Sequence, residues 1–298
     1  GADAVKIQTY RGDTITLNSN QEDFLIPDTS PWKEHKTLYS LYETASTPWE
    51  WHKELFHEGK KLGIDIFSSP FDITAVDFLE KLNNPVYKIA SPEITDIPLL
   101  KKVAGTGKPV ILSTGVATLE DLNLAVMTLR GSGCENLIIL KCTTAYPTPY
   151  SEVNLRTIPH LGETFDCITG ISDHTLGIGV PIAAVALGAR VIEKHFILSK
   201  SDSSVDAFFS LTPDDFKLMV DEVRNIESAL GEITYELTPN AKKNMNGRRS
   251  LYASEDIVEG ESFTEKNIKE PNLLNYLDLV ALGTVCDVVK LKSYNRNF

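Results

Sequence analysis

The chain has 298 residues, 42% hydrophobic and 23% charged, enough for one large globular domain and a small one. Its net charge of −12 argues against a nucleic-acid or anionic-membrane surface, so an anionic ligand would need a local cluster of Lys or Arg. The four cysteines, at 134, 142, 167 and 286, have no C-x-x-C spacing and read as thiols of a reducing cytoplasm rather than a disulfide framework. No secretory signal opens the sequence, and the apolar tract 273–289 is interrupted by Asn275, Asp278 and Asp287, so no membrane span is expected.

In chain order, residues 4–9 predict a strand with Lys6 and Gln8 on one face. Residues 10–46 read as a long polar connection, of a length that suits a lid. Thr47-Pro-Trp-Glu predicts a capping box with Pro at the first helical position, opening a helix to Leu62 whose Trp51/Leu55 pair has core spacing. A strand over 64–69 ends S-S-P-F-D, and Asp72 caps a helix through Leu82. The strand over 85–91 leads to Glu93, and Asp96 caps a short helix. A strand over 109–114 follows, then a helix over 118–129 with Thr118 and Asp121 spaced as a capping pair. The strand over 137–143 runs into C-T-T-A-Y-P-T-P-Y.

The stretch from Gly170 to Phe196 holds two short strands, each ending on a histidine, with an apolar helix over 180–187 between them. Parallel strands joined by such a crossover end on the same side of the sheet. Ser172 and His174 share one face, as do Glu193 and His195. Two imidazoles and a carboxylate at one mouth suit a divalent metal; hydrogen-bonded structural histidines are the alternative. Thr212 opens a last amphipathic helix, with Phe216/Val220 at core spacing, that Gly231 ends.

Seven alternating strands and helices imply a parallel sheet. No strand is followed by a G-x-G-x-x-G or P-loop, and polar residues gather at strand C-termini, which favours a TIM (β/α)8 barrel over an open sheet. Because the chain starts within a unit, the first βα unit is expected to be missing. The expected organisation is a barrel over 1–232, a linker over 233–247 and a small β-rich module over 248–298 with a Gly turn at 260.

The motifs K-I-Q-T-Y, S-S-P-F, Y-K-I-A-S-x-E, C-T-T-A-Y-P-T-P, G-I-S-D-H-T, G-A-R-V-I-E-K-H-F and R-S-L-Y-A-S-E-D-I together resemble the sialic acid synthases. These are phosphoenolpyruvate-condensing barrels followed by an antifreeze-like (SAF) domain. The stretches D-T-I-T-L-N-S, L-Y-E-x-A-x-T-P-x-E-W-H and V-A-L-G-A-R point to the branch acting on a 2,4-diacetamido-2,4,6-trideoxy hexose of the altrose type. The product would be a nine-carbon 2-ulosonic acid plus phosphate. Three features depart from the family. Its opening strand, with a Glu and an Asn-His pair, is absent; Thr144 stands where N-acetylneuraminate synthases have Asn; and E-P-N-L-L-N-Y replaces R-P-G after Ile268, so the SAF domain looks incomplete.

The resemblance implies Mn²⁺ or Mg²⁺ on His174 and His195. It implies phosphoenolpyruvate on Lys6, Gln8, Ser69, Lys88, Ser91, Ser113 and Ser172, with Glu93 handling protons. Glu193 would orient a metal-bound water or a sugar hydroxyl, or serve structurally. Phe71, Tyr146 and Asp206 match sugar-facing positions. Arg249 matches the SAF arginine that reaches the neighbouring subunit's site in a domain-swapped homodimer. A 3-deoxy-ulosonate phosphate synthase, an N-acetylneuraminate or legionaminate synthase, and a catalytically silent fragment that binds sugar are the competing readings.

Overall fold

The computed structural model describes residues 1–202, 204–245, 252–253, 255–256, 258–260, 262 and 268–269. It divides into two compact units, Gly1–Gly231 and Glu232–Phe298.

The first unit is a parallel sheet of seven strands in sequential order. They are β1 Ala4–Thr9, β2 Asp65–Pro70, β3 Tyr87–Ile89, β4 Val110–Ser113, β5 Leu137–Cys142, β6 Ile168–Asp173 and β7 Val191–Lys194. The helices are α1 Gly12–Ile15, α2 Leu38–Ala45, α3 Trp49–Leu62, α4 Ile73–Lys81, α5 Ile97–Ala104, α6 Leu119–Gly131, α7 Thr157–Phe165, α8 Gly179–Ala186 and α9 Pro213–Leu230. Several starts follow from their caps. The side chains of Asp72, Asp96, Thr118 and Thr212 each accept from a first-turn N–H, and Thr118 with Asp121 closes a full capping box.

The sheet is curled. Laid flat, β1 and β7 would stand about 29 Å apart, six intervals of about 4.8 Å. Instead Lys6 Nζ on β1 lies 3.0 Å from Glu193 Oε2 on β7. Strand alternation divides the side chains between two faces. Outward, Tyr87, Ile89, Val110, Leu112, Leu137 and Ile139 pack on α4, α5 and α6 in the main core. Each fully buried Leu or Ile there contributes about 1.5–3 kcal/mol. Inward, Phe67, Val86, Ile111, Ile138, Leu140 and Val191 form an apolar floor. Two residues along, the same faces carry Ser69, Lys88, Ser113, Cys142 and Glu193, so a polar layer lies directly above the floor.

Several expectations are corrected. Residues 10–46 contain α1, α2 and two 3₁₀ turns at Glu22–Phe24 and Lys33–His35. Helix α3 begins one residue later than the capping box requires: Pro48 is its N-cap and no side chain caps it. Trp51 is exposed, and its neighbour His52 is the residue buried from this turn, bonded to Thr9 Oγ1 at 2.7 Å. Helix α7 has no side-chain cap, which removed its usual start signal from the sequence. In the second unit, helix α10 Pro239–Lys243 interrupts the stretch read as linker, and β8 Tyr252–Ala253 pairs antiparallel with β9 Ile268–Lys269.

Candidate active site

The strands deliver their polar ends to one mouth. At its centre Glu193 lies between two cations: Lys6 Nζ is 3.0 Å from one carboxylate oxygen and Lys88 Nζ is 3.7 Å from the other. Ser172 Oγ donates to the same carboxylate at 2.7 Å. Burial opposes the charge on Glu193, but the two lysines and Ser172 outweigh it and hold the carboxyl well below the usual range. Lys88 is buried, and burial pushes its ammonium down to about 8 against the pull of Glu193. Its Nζ also donates to Ile89 O at 3.1 Å. Gln8, half-buried, shares the Lys6 face of β1.

Around this cluster the serines differ in what they do. Ser69 Oγ donates to Lys88 O at 2.8 Å, and Ser91 Oγ accepts from Gly115 N at 2.9 Å. Ser113 Oγ has no partner. Among the described residues four buried side-chain polar atoms lack one, and three lie at this mouth: Glu93 Oε2, Ser113 Oγ and Thr144 Oγ1. Buried polar atoms are normally satisfied, so three orphans together mark a place for a ligand with polar oxygens. Gly115 makes room for two hydroxyls of this mouth: a Cβ there would stand 2.1 Å from Thr144 Oγ1 and 2.7 Å from Ser91 Oγ. Burial pushes the Glu93 carboxyl up to about 7, into the range where a carboxylate exchanges protons at neutral pH.

The histidines meet on the other side. The His174 and His195 rings are 5.2 Å apart, edge to face. His174 Nδ1 is 3.1 Å from Thr143 O, and His195 Nδ1 is 3.3 Å from Asp206 Oδ2. Burial lowers the His195 imidazole further than Asp206 raises it, favouring the neutral ring. For His174 burial also opposes protonation, but Cys142, the Thr143 carbonyl and the Glu193 carboxylate together outweigh it and raise the imidazole. Among the described residues no three His, Cys, Asp or Glu side chains gather as a metal cage. The pair nevertheless fits a two-imidazole site with open positions, because each Nδ1 is committed to an acceptor, as in metal-ligating histidines generally.

An aromatic wall backs the histidines. Tyr146 lies 4.6 Å from the His174 ring and 5.2 Å from Phe209, and Phe209 lies 4.7 Å from His195. Phe71 instead packs on Tyr10 at 5.0 Å. Arg249 lies outside the described residues. Of the expected residues, then, Lys6, Lys88, Ser172 and Glu193 join in one cluster. Asp206 joins His195, Tyr146 joins His174, and Ser69 and Ser91 are tied to neighbouring backbone. Sequence reasoning named Cys142 only as a thiol and Thr144 only as a departure from the N-acetylneuraminate synthases, and it passed over Phe209 and Trp32. The first two stand in the C-T-T motif and Phe209 in an F-F pair beyond a polar loop, so only the folded chain brings them to the histidines.

A curled parallel α/β sheet with lysines, hydroxyls, a titrating carboxylate and paired imidazoles at its C-terminal mouth defines a barrel-type enzyme with a charged active site. The chain belongs to the NeuB family, whose model matches residues 1–235. It is 49% identical over 269 residues to the pseudaminic acid synthase of Campylobacter jejuni strain 81-176, covering 90% of this chain and 78% of that one. Against the N,N'-diacetyllegionaminic acid synthase of Campylobacter jejuni strain NCTC 11168 the identity is 36% over 301 residues, covering 100% and 89%. Among solved structures, the N-acetylneuraminic acid synthetase of Leptospira borgpetersenii in complex with citrate superposes with a TM-score of 0.70 at 28% identity, covering 83% of this chain and 81% of that one.

Proposed function

We propose that this chain condenses phosphoenolpyruvate with a 2,4-diacetamido-2,4,6-trideoxy hexose of the altrose type, giving pseudaminic acid and phosphate. The observation that carries the substrate is the 49% identity to a pseudaminic acid synthase, against 36% to a legionaminate-type enzyme. The fold read with it is a (β/α)8 barrel, seven strands of which lie in this chain, followed by an SAF-like module. The proposed organisation keeps the sequence boundaries, 1–232, 233–247 and 248–298.

Lys6 and Lys88 neutralise the carboxylate and phosphate, each charge-assisted bond contributing about 1.5–3 kcal/mol. The free Ser113 hydroxyl donates to a phosphate oxygen, with Gln8, Ser69, Ser91 and Ser172 around it. Held this way, C3 of the enol faces the sugar aldehyde. C3 then bonds to the aldehyde carbon, whose oxygen takes a proton and becomes a hydroxyl; water adds to the electron-poor C2, Glu93 takes its proton, and the C2–O bond to phosphate breaks as the C2 carbonyl forms. Phe71, Tyr146 and Asp206 hold the sugar, and Glu193 orients one of its hydroxyls. A divalent metal, Mn²⁺ or Mg²⁺, would be held by His174 and His195 and would act as a Lewis acid on the aldehyde oxygen. The module carrying Arg249 completes the neighbouring site in a domain-swapped homodimer, and the protein works in the cytoplasm.

The test is phosphate release from phosphoenolpyruvate with the diacetamido sugar or with N-acetylmannosamine, before and after chelation. A higher kcat/KM on the diacetamido sugar is expected, with activity lost to the chelator and restored by Mn²⁺. A preference for N-acetylmannosamine would reverse the substrate assignment, and full activity after chelation would remove the metal.

A further inference from the structure

The segment read from sequence as a long polar connection carries an aromatic side chain into the candidate sugar wall. Leu25 and Thr37 pair antiparallel, and Ile26 N donates to Lys36 O at 2.9 Å. Residues 26–36 are thus a closed excursion with Trp32 near its tip, at the N-cap of the 3₁₀ turn Lys33–His35. The half-buried indole makes two contacts of different chemistry. Its ring packs at a tilt against Tyr146, centroids 5.4 Å apart. Its Nε1–H donates to Val205 O at 2.8 Å, across 173 residues of sequence.

Both contacts lead to the histidines. Tyr146 packs at a tilt against His174, centroids 4.6 Å apart. Val205 adjoins Asp206, whose carboxylate lies 3.3 Å from His195 and whose carbonyl accepts from Ser210 Oγ at 2.6 Å. One side chain therefore bridges the excursion to both halves of the wall.

We propose that Trp32 is a specificity-determining residue of the sugar pocket, its indole forming an apolar roof for the methyl groups of the substrate. This rests on the function proposed above. A 2,4-diacetamido-6-deoxy hexose presents three methyls, two acetamido and one at C6, whereas N-acetylmannosamine presents one and a C6 hydroxymethyl. An aromatic surface contacts methyls well, and a single methyl-sized difference in an apolar pocket is worth about 10–200-fold in discrimination. The indole N–H acts separately, by holding the Val205–Asp206 backbone against the wall.

The two contacts separate by substitution. Trp32→Ala removes both, and Trp32→Phe keeps the ring face while losing the N–H. For Trp32→Ala the sugar KM is expected to rise about tenfold or more, with the phosphoenolpyruvate KM within twofold, and the preference over N-acetylmannosamine to shrink by a similar factor. Trp32→Phe should fall between wild type and Trp32→Ala in sugar KM and retain most of the preference. Sugar binding should change tryptophan fluorescence in the wild type and not in Trp32→Phe, where Trp49 and Trp51 remain. A sugar KM within twofold of wild type in Trp32→Ala overturns the proposal. So does a parallel rise in the phosphoenolpyruvate KM, or an unchanged preference between the two sugars. Should Trp32→Ala fail to fold, Trp32→Phe decides alone, through fluorescence and the two KM values. Wild-type protein that turns over no diacetamido sugar brings down the proposed function, and this inference with it. Turnover with unaffected variants brings down the inference alone.

Discussion

Glu93 gives the sharpest pH dependence at the scale of single residues. Its carboxyl is pushed up to about 7 by burial, from an ordinary value near 4.5. Between those values the native state holds a proton that the unfolded chain has lost, so this group's contribution to stability falls as pH rises from about 4.5 to about 7. Glu93→Gln should match wild type in thermal stability at pH 4.5 and exceed it at pH 8, by up to roughly 3 kcal/mol. Thermal melts across this range check it; an equal difference at both ends would place the carboxyl at its ordinary value. The same titration governs the proposed chemistry. If Glu93 must be ionised and Lys88, pushed down to about 8, must be protonated, kcat/KM for phosphoenolpyruvate is bell-shaped with its maximum between pH 7 and 8. Glu93→Gln would lower activity and remove the acid limb.

At the scale of elements, β6 and β7 are clamped behind the histidines. Asp173 and Lys194 are register partners, and their side chains form a 2.6 Å ion pair, each 1% exposed. Asp173 also accepts from Thr175 N at 2.9 Å and Thr175 Oγ1 at 3.0 Å, while Lys194 donates to Thr175 O. His174 lies inside this loop of bonds, and its carbonyl accepts from Thr148 N at 3.1 Å. His195 follows Lys194 directly. The alternation that turns the charges outward turns the imidazoles inward. Removing one buried partner costs about 3–5 kcal/mol, whereas replacing both by apolar side chains of similar size is often neutral. Asp173→Asn should therefore lower the urea midpoint sharply. Asp173→Leu with Lys194→Met should recover most of the midpoint while leaving kcat depressed, because the Thr175 bonds are not rebuilt. A double variant with wild-type kcat would separate the clamp from the histidines.

The sequence made these strands legible for the same reason. Strand geometry puts Ser172 with His174 and Glu193 with His195, and the histidines at the strand ends announce a common mouth. Caps at Asp72, Asp96, Thr118 and Thr212 fixed four helix starts. At α3, which no side chain caps, the expected start was one residue early; the pattern failed at uncapped α7 and where short helices sit among polar residues, as at α2 and α10. Trp32 was illegible for another reason: its neighbours at the mouth come from distant parts of the chain.

For the whole molecule the dominant fact is charge. A net −12 surrounds a mouth whose centre holds two lysines, so substrate attraction is local rather than a long-range field. Among the described residues no helix is long and apolar enough to cross a membrane. Assembly adds a further expectation. If the module carrying Arg249 completes a neighbour's pocket, the protein sediments as a dimer. Arg249→Ala then raises the sugar KM and spares that of phosphoenolpyruvate. Mixing Arg249→Ala with Lys88→Ala protein under conditions of demonstrated subunit exchange should restore activity, since one heterodimer site has both residues intact. Exchange without rescue would remove the shared site.

The carboxylate between the two lysines has one more consequence. Before any substrate arrives, Glu193 already serves as counter-ion to Lys6 and Lys88, and it shields the buried amine only in part. A phosphate or carboxylate entering beside Lys88 favours its protonated form, so binding should draw protons out of the buffer. At pH 8 about half of the Lys88 population is neutral beforehand, which sets the uptake at about half a proton. Titration calorimetry with phosphoenolpyruvate, repeated in buffers of different ionisation enthalpy, reads that number as a slope. Lys88→Arg, permanently charged, should flatten it.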